Sequence, residues 1–296
     1  MSTAMSLPIT IHAQSLRHAL STHSDQTKKQ KQQMTRLFHT LLASYSTPFV
    51  QRVSPSHPPP PAVYVFAYGS LINPSSLQRT IGSTSALPSH QSHSSIKTIP
   101  AVVSGFKRSW EYKCSRRQYT AVSVTRDESA ATNGVLVQVQ WAQLRALDAR
   151  ESGYTRELIT MDKLRLYEKT DELNNGHYAA MDSNNLPSNA IVFMYTLDSS
   201  NNHTASPSVP IPQSYVDCIV AGALQTHGYA FAREFIQTTA GWAAHWVNDR
   251  NAVAPVRRYV PDCSAGERDL SPDLQDAVDE LLKAVVPNAF MHRVDV

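Results

Sequence analysis

The run AVYVFAY, residues 62–68, limits the possible folds of this chain more than any other segment. Its uninterrupted aromatic and β-branched residues predict a strand buried in a sheet. A buried strand needs a core around it, and the composition can supply one, with 42% hydrophobic and 17% charged residues. We therefore expect the folded part of the chain to begin here, directly after the four prolines at 58–61.

The rest of the chain provides strand signals first and helix signals later. Four more segments predict strands: residues 101–106, 119–125, 134–141 and 190–197. The Asn133-Gly134 pair predicts a turn before the third of them. Strands followed by helices predict an α+β fold, with a small mixed β-barrel or strongly bent sheet flanked by helices and extra helices at the C-terminal end.

The helix signals are apolar spacing and capping residues. Asn73 and Pro74 suit the first positions of a short helix, and Leu144 and Leu147 give a second short helix one apolar side. Longer helices are predicted over residues 213–237 and, from an N-cap at Ser271, over 271–285. Two polar stretches, residues 172–189 and 198–210, are interpreted as surface insertions.

The first 62 residues differ in composition from the rest. They hold six Lys/Arg against one acid, and Ser and Thr are plentiful. That composition is typical of an organelle transit peptide, and the alternative is a disordered tail with one amphipathic helix. The prolines at 58–61 would then act as a stiff spacer. We expect a cytoplasmic protein, or a mitochondrial or plastid one if residues 1–62 act as a transit peptide.

Composition also bears on partners and cofactors. Cys114, Cys218 and Cys263 are an odd number without CxxC or Cys/His ligand spacing, so we expect no disulfide framework, no metal site and a reducing compartment. A net charge of +3 is too small to indicate nucleic-acid binding. No apolar run approaches the roughly 20 residues that span a bilayer, so no membrane partner is expected. The oligomeric state is left open.

The segment Tyr68-Gly69-Ser70-Leu71 ends the first strand and could bind an anion. A glycine at a strand exit permits a φ that other residues resist and leaves backbone N–H groups free to face an anionic oxygen. A substrate carboxylate or a developing oxyanion would suit that position. The alternative is an ordinary strand-to-helix turn that needs glycine for its shape.

Glu151 is the candidate acid–base residue. It follows the short helix around Leu144 and Leu147 and precedes the apolar segment at 157–161. Partial desolvation there would raise its pKa and suit it to proton transfer near neutral pH. The alternative is a solvated carboxylate paired with Arg150 or Arg156.

Together these segments resemble the γ-glutamylcyclotransferase family. YVFAYGS (64–70) and LDARESGY (147–154) match its pattern of a strand ending in Tyr-Gly-Ser and a later Leu-Asp-x-x-Glu. GFKRSW (105–110), Leu71-Ile72 and Arg150-Glu151 resemble the glutathione-acting ChaC branch, and residues 210–228 resemble the family's C-terminal helix. The resemblance covers Val63 to Gly228, which implies a domain at 63–228 and a C-terminal helical extension at 229–296.

The resemblance implies a cofactor-independent enzyme that releases 5-oxoproline from a small-molecule γ-glutamyl substrate. Glu151 would be its general acid and base. The substrate would be bound by the strand-exit turn and by two tyrosines, that is, by Tyr68, Gly69, Ser70, Leu71, Ile72 and Tyr215. The alternative is a non-catalytic module that binds a metabolite or a protein on the same fold.

Two departures from the ChaC pattern leave the leaving group open. The ChaC branch has an aromatic residue where this chain has Asn73, and its arginine-rich signature is blurred into CSRRQY (114–119). Arg108, Arg116, Arg117 and Arg126 could contact a substrate carboxylate, although basic residues on strand rims are more often surface charge.

The segment WVNDR (246–250) carries no recognisable chemistry and is interpreted as a docking element for the tail.

Overall fold

A mixed β-sheet forms most of the fold. The computed structural model describes residues 60–82, 96–169, 178–182, 186–242, 245–252, 259 and 270–296. Of the N-terminal segment, residues 1–59 lie outside the described part of the chain. Cys263 and most of the Ser/His-rich loop after Gly82 also lie outside it. The strands are β1 (Val63–Ala67), β2 (Thr98–Cys114), β3 (Tyr119–Val139), β4 (Thr155–Ile159), β5 (Leu164–Lys169), β6 (Tyr178–Asp182), β7 (Ile191–Thr196), β8 (Ile211–Pro212), β9 (Thr239–Ala240), β10 (Trp246–Asn248) and β11 (Val294–Asp295).

Strand β1 is an interior strand of this sheet. Among the described residues the strand order is β4-β7-β1-β3-β2-β5-β6, and β9 adds to β2. β1 pairs antiparallel with β3 and parallel with β7. All five of its residues are buried. The buried strand predicted from AVYVFAY is therefore confirmed.

Strands β2 and β3 form a long, bent hairpin. Bulges interrupt their pairing near Gly105, whose φ is +82°, and between Trp110 and Tyr112. Bulges bend a strand and increase its twist, which suits a strongly curved sheet. The predicted segments 119–125 and 134–141 belong to one continuous strand, so the turn predicted at Asn133-Gly134 is wrong.

Close packing explains the glycine at position 134. A Cβ there would lie 2.5 Å from the Ala67 carbonyl oxygen, so the backbones of β1 and β3 can approach only if this residue has no side chain. Asn133 is fully buried, and its side chain donates to the Phe231 carbonyl. The Asn-Gly pair therefore has a packing function inside a strand, although its local signal is that of a turn.

The helices are α1 (Pro74–Ile81), α2 (Trp141–Arg150), α3 (Gln213–Gln237), α4 (Pro272–Val285) and α5 (Pro287–Met291). Asn73 caps α1 and Ser271 caps α4, as predicted. α3 is buried along most of its first half and changes direction at Gly228, whose φ is +82°. None of the helices in the described ranges is both long and apolar enough to cross a bilayer.

The C-terminal residues add a second, small sheet. Strands β11, β10 and β8 pair in parallel in that order, and α4 packs against α3. The end of the predicted surface insertion at 198–210 is buried. The Val209 carbonyl accepts a hydrogen bond from the Thr120 hydroxyl, and the Pro210 carbonyl accepts one from the Thr120 N–H. The predicted class is confirmed: an α+β fold with a strongly bent mixed sheet and flanking helices.

Candidate active site

Two adjoining cavities lie where β1 ends. The outer one has a volume of about 690 Å³ and the inner one about 40 Å³. Four residues line both, namely Ser70, Glu151, Tyr154 and Tyr215. The strand-exit turn, the end of α2 and the start of α3 therefore meet at one junction between the two spaces.

The turn after β1 presents backbone donors to the inner cavity. Ser70 to Ile72 form one turn of 3-10 helix, closed by the Ile72 N–H donating to the Gly69 carbonyl at 2.9 Å. Within the described part of the chain, no acceptor is found for the N–H groups of Gly69, Ser70 or Leu71. Successive free N–H groups of this kind are suited to an anionic oxygen.

Gly69 has little room for a side chain, and its φ is not of the left-handed kind. Its φ is −134°, which any residue can adopt, so the sequence-based expectation of an unusual φ is wrong. A Cβ at this position would lie 3.0 Å from Val122 and 3.5 Å from the Tyr215 hydroxyl. A side chain would therefore crowd the floor of the inner cavity.

Glu151 lies at the C-cap of α2, and its side chain is only 18% exposed. Burial raises the pKa of this carboxyl above its usual range, and the neighbouring Arg150 guanidinium partly opposes that shift. A carboxyl with a raised pKa can hold or release a proton closer to neutral pH. The alternative holds in part: Glu151 pairs with Arg150 at 3.1 Å, but the pair is partly buried and does not lie on a solvated surface.

Arg150 connects the acid to the strand-exit turn. Its Nε lies 3.1 Å from Glu151 Oε1, and its Nη2 donates to Ser70 Oγ at 2.9 Å. The same side chain donates to the Ser76 carbonyl and to the Thr80 hydroxyl on α1. Arg150 is thus a clamp that holds the end of α2 against the turn and α1.

Tyr215 lies on the opposite side of the junction, in the first turn of α3. Burial, followed by the nearby Glu151, raises the pKa of its phenol. It therefore stays a neutral phenol and can donate a hydrogen bond. Asn73 reaches α3 as well, since its Nδ2 donates to the Cys218 carbonyl at 3.0 Å.

The remaining predicted binding residues differ in how they face the cavities. Tyr68 and Leu71 line the inner cavity. The Tyr68 hydroxyl donates to the Tyr195 carbonyl at 2.6 Å, so its ring forms a wall while its hydroxyl bonds to the protein. Ile72 is buried and lines neither described cavity.

Sequence reasoning missed several lining residues. Tyr154 lines both cavities and donates to the Val122 carbonyl at 2.9 Å. The outer cavity is lined further by side chains that the sequence analysis did not name as contacts: Tyr112, Tyr119, Tyr259 and Arg79. Only Tyr154, inside the LDARESGY motif, had a signal that could have identified it.

The four arginines considered as substrate contacts have different positions. Arg116 and Arg117 line the outer cavity, whereas Arg126 is paired with Glu157. Arg108 is fully buried, so its interpretation as surface charge is wrong. Its guanidinium donates to β3 and to the end of α3. In the part of the chain that the structure describes, no group of three or more His, Cys, Asp or Glu residues could hold a metal ion.

Part of the chain matches a model of a protein family. Residues 65–208 match the family model described as "Gamma-glutamyl cyclotransferase, AIG2-like". The match confirms the resemblance to the γ-glutamylcyclotransferase-like family and includes the strand-exit turn and Glu151. Tyr215 lies just beyond the matched residues. A comparison with curated proteins found no match.

Solved structures of similar proteins were also found. One is described as a gamma-glutamyl cyclotransferase, with 14% identity, a TM-score of 0.37 and coverage of 73% of this chain and 98% of that one. An uncharacterized protein from Homo sapiens has 15% identity, a TM-score of 0.36 and coverage of 73% and 96%. A yeast gamma-glutamyl cyclotransferase specific to glutathione has 16% identity, a TM-score of 0.25 and coverage of 59% and 86%.

Proposed function

We propose that this protein is a γ-glutamylcyclotransferase that converts a γ-glutamyl compound, either glutathione or a γ-glutamyl amine or amino acid, to 5-oxoproline and a free amine. The proposal rests mainly on one observation. A largely buried carboxyl with a raised pKa, Glu151, shares a cavity junction with the free N–H groups of the strand-exit turn. The family match supports the same reaction class.

The γ-glutamyl unit would enter with its head at the junction. Its anionic oxygens would accept hydrogen bonds from the N–H groups of Gly69, Ser70 and Leu71, and Tyr215 would close the other side. The inner cavity of about 40 Å³ holds little more than a few water molecules, so the rest of the substrate extends outward.

The reaction needs no external nucleophile. The α-amino nitrogen of the γ-glutamyl unit attacks its own γ-carbonyl carbon, forming the C–N bond of the five-membered ring. The bond to the departing amine nitrogen then breaks. Because the attack is intramolecular, much of the proximity advantage is already present in the substrate. Substrate and products contain the same atoms, and no water is consumed.

Glu151 would carry out both proton transfers. As a carboxylate it accepts a proton from the attacking α-ammonium group, and as a carboxylic acid it donates that proton to the departing amine. The N–H groups of the turn would stabilise the negative charge that develops on the γ-carbonyl oxygen. Arg150 favours the ionised form of Glu151, which the first transfer requires.

The test is to incubate the full-length protein with glutathione, a γ-glutamyl amino acid and a γ-glutamyl alkylamine and to measure 5-oxoproline by mass spectrometry. Glu151→Gln is expected to lower kcat by at least about 100-fold, the scale of a general acid–base contribution. Glu280→Gln, at an exposed position on α4, is the control and is expected to keep full activity.

Release of glutamate in place of 5-oxoproline would contradict the cyclisation, because it would show that water is the nucleophile. Failure of every donor to react, with donors still binding to the folded protein, would favour the non-catalytic binding module.

A further inference from the structure

The wall of the outer cavity is rich in aromatic side chains. Five tyrosines line it, from β2, β3, the segment after α2, α3 and the C-terminal region: Tyr112, Tyr119, Tyr154, Tyr215 and Tyr259. They pack as two groups. The ring centroids of Tyr112 and Tyr154 are 4.4 Å apart, and the centroid of Tyr215 lies 5.6 Å from that of Tyr119 and 4.7 Å from that of Tyr259.

Two of these tyrosines use their hydroxyl groups within the protein. The Tyr154 hydroxyl donates to the Val122 carbonyl at 2.9 Å. The Tyr259 hydroxyl lies 3.7 Å from the Cys218 sulfur, which is within the distance of a hydrogen bond to sulfur. Because these hydroxyl groups are engaged, the ring is the part of each side chain that remains to face a ligand.

The charged residues of the same wall have both signs. They are four arginines and one carboxyl group: Arg79, Arg116, Arg117, Arg150 and Glu151. Arg150 and Glu151 are paired with each other. Charge alone therefore does not define the leaving group. A guanidinium group also stacks on aromatic rings, so the arginines are compatible with an aromatic ligand.

The sizes of the two cavities decide where the leaving group lies. If the γ-glutamyl head lies at the junction, the inner cavity of about 40 Å³ leaves no room for a leaving group, whereas the outer cavity offers about 690 Å³. Sites of roughly 300–1,000 Å³ hold drug-sized ligands. The outer cavity can therefore hold a leaving group much larger than a small aliphatic amine, beside the tyrosines.

Tyr259 is placed to meet this part of the substrate. The family match covers residues 65–208, and Tyr259 lies in the C-terminal region well beyond it. Its ring contacts Tyr119 and Tyr215 edge to face. It lines the outer cavity and not the inner one. Tyr259 can thus contact the leaving group without contacting the γ-glutamyl head.

We propose that the preferred leaving group contains an aromatic ring, as in an aromatic amine or an aromatic amino acid, and that Tyr259 is a specificity-determining residue that contacts this ring. The inference rests on the proposed function and narrows its substrate class. The bond changes are those of the cyclisation: the γ-amide C–N bond breaks, and the departing nitrogen takes the proton held by Glu151. Aromatic pairs are stabilised beyond the burial of their area, so an aromatic leaving group gains more at Tyr259 than an aliphatic one of similar size.

Three matched donors test the inference on the full-length protein: γ-glutamylphenylalanine, its non-aromatic analogue γ-glutamylcyclohexylalanine, and γ-glutamylalanine. We expect kcat/KM for 5-oxoproline release to be about tenfold higher for the phenylalanine donor than for the alanine donor, the scale of an aromatic contact with its buried area. The cyclohexylalanine donor should lie between them, since it fills the space without an aromatic ring. A cyclohexylalanine donor as fast as the phenylalanine donor would overturn the aromatic preference.

Substitution assigns the preference to one side chain. Tyr259→Leu keeps an apolar side chain without the ring, and it should lower the ratio of kcat/KM between the phenylalanine and alanine donors by about threefold, within the range of one aromatic contact. Tyr259→Phe keeps the ring and should keep the ratio. Tyr229→Leu is the control, because Tyr229 is an exposed tyrosine on α3 that lines neither described cavity.

A loss of kcat in Tyr259→Leu that is equal for all donors would contradict the inference. It would mean that Tyr259 acts only by positioning Tyr215, because a residue that contacts the leaving group must change the ratio between donors. Equal turnover of the phenylalanine and alanine donors by the wild-type protein would also overturn the inference, while the cyclotransferase activity itself would stand.

Absence of 5-oxoproline from every donor would overturn the proposed function. In that case calorimetric titration of the wild-type and Tyr259→Leu proteins with the phenylalanine and alanine donors still tests Tyr259. Tighter binding of the phenylalanine donor that is lost in Tyr259→Leu would support a ring-binding residue, and equal affinities would contradict one.

Discussion

At the scale of single residues, Glu151 lies where burial destabilises its charged form. Burial alone would favour the neutral carboxylic acid, and Arg150 restores part of the stability of the carboxylate. The result is a carboxyl whose pKa remains above the usual value and whose two protonation states are closer in free energy near neutral pH. That balance is useful for proton transfer and unfavourable for folding.

We therefore predict that Glu151→Gln stabilises the protein at neutral pH while it removes activity. A carboxyl with a raised folded-state pKa stabilises the fold fully below its unfolded pKa, near 4.5, and that stabilisation is lost as the pH rises through the folded-state value. Glutamine is neutral throughout. The free energy of unfolding of the variant should exceed that of the wild type at pH 7 by about 1.4 kcal/mol for each unit by which the pKa is raised.

Urea denaturation between pH 5 and pH 8 measures this difference. It should grow with pH, whereas the exposed Glu280→Gln control should show no such trend. A variant that is less stable than the wild type at pH 7 would mean that the carboxylate of Glu151 is net stabilising.

At the scale of elements, the first turn of α3 is held by acids from the C-terminal region. Both oxygens of the buried Asp249 accept hydrogen bonds from Ser214, one from its N–H at 2.8 Å and one from its hydroxyl at 2.7 Å. Arg250 bridges Asp217 on α3 and Asp279 on α4, with N–O distances of 2.8 Å. The segment WVNDR thus fixes the helix start that carries Tyr215.

Asp249→Ala should lower the free energy of unfolding by about 1–3 kcal/mol, because it leaves the buried Ser214 N–H and hydroxyl without an acceptor and removes a negative charge from a helix N-terminus. Asp276→Ala, at an exposed position on α4, is the matched control. Thermal and urea unfolding of both variants measure the effect, and equal stability of the two would show that the Ser214 hydrogen bonds are unimportant for folding.

At the scale of the whole molecule, one buried arginine joins the sheet to the end of α3. Arg108 on β2 donates to the Asn133 carbonyl and side chain on β3, and to the Phe235 carbonyl, Thr238 and Thr239 near the end of α3. Its guanidinium also stacks on the Phe235 ring at 3.8 Å. Burial lowers the pKa of Arg108 to about 9, so it remains charged at neutral pH.

Arg108→Lys is expected to destabilise the protein by about 3–5 kcal/mol, even though the charge is kept. A lysine cannot reach the acceptors on β3, α3 and β9 at once. The buried acceptors that lose their donor stay desolvated. Lys107→Met, at the neighbouring and partly exposed position, is the control. Unfolding by urea compares the variants, and a loss below about 1 kcal/mol would place Arg108 among ordinary hydrogen-bonding residues.

Local signals were sufficient for several features of this protein. The apolar run of β1, the Asn73 cap and the position of Glu151 after α2 depend on residues close together in the chain, and the structure has them as predicted. The role of Glu151 stays a prediction. The family motifs could be identified for the same reason, since each is a short contiguous segment.

Other features were decided by tertiary packing alone. Ser70 and Arg150 are 80 positions apart, and their hydrogen bond depends on how α2 is laid against the turn after β1. The turn signal of Asn133-Gly134 was overridden because β1 packs against that position. Arg108 has the same local pattern as an exposed strand residue. Whether such a residue is buried depends on which distant elements supply its hydrogen-bond acceptors, and no short segment of sequence contains that information.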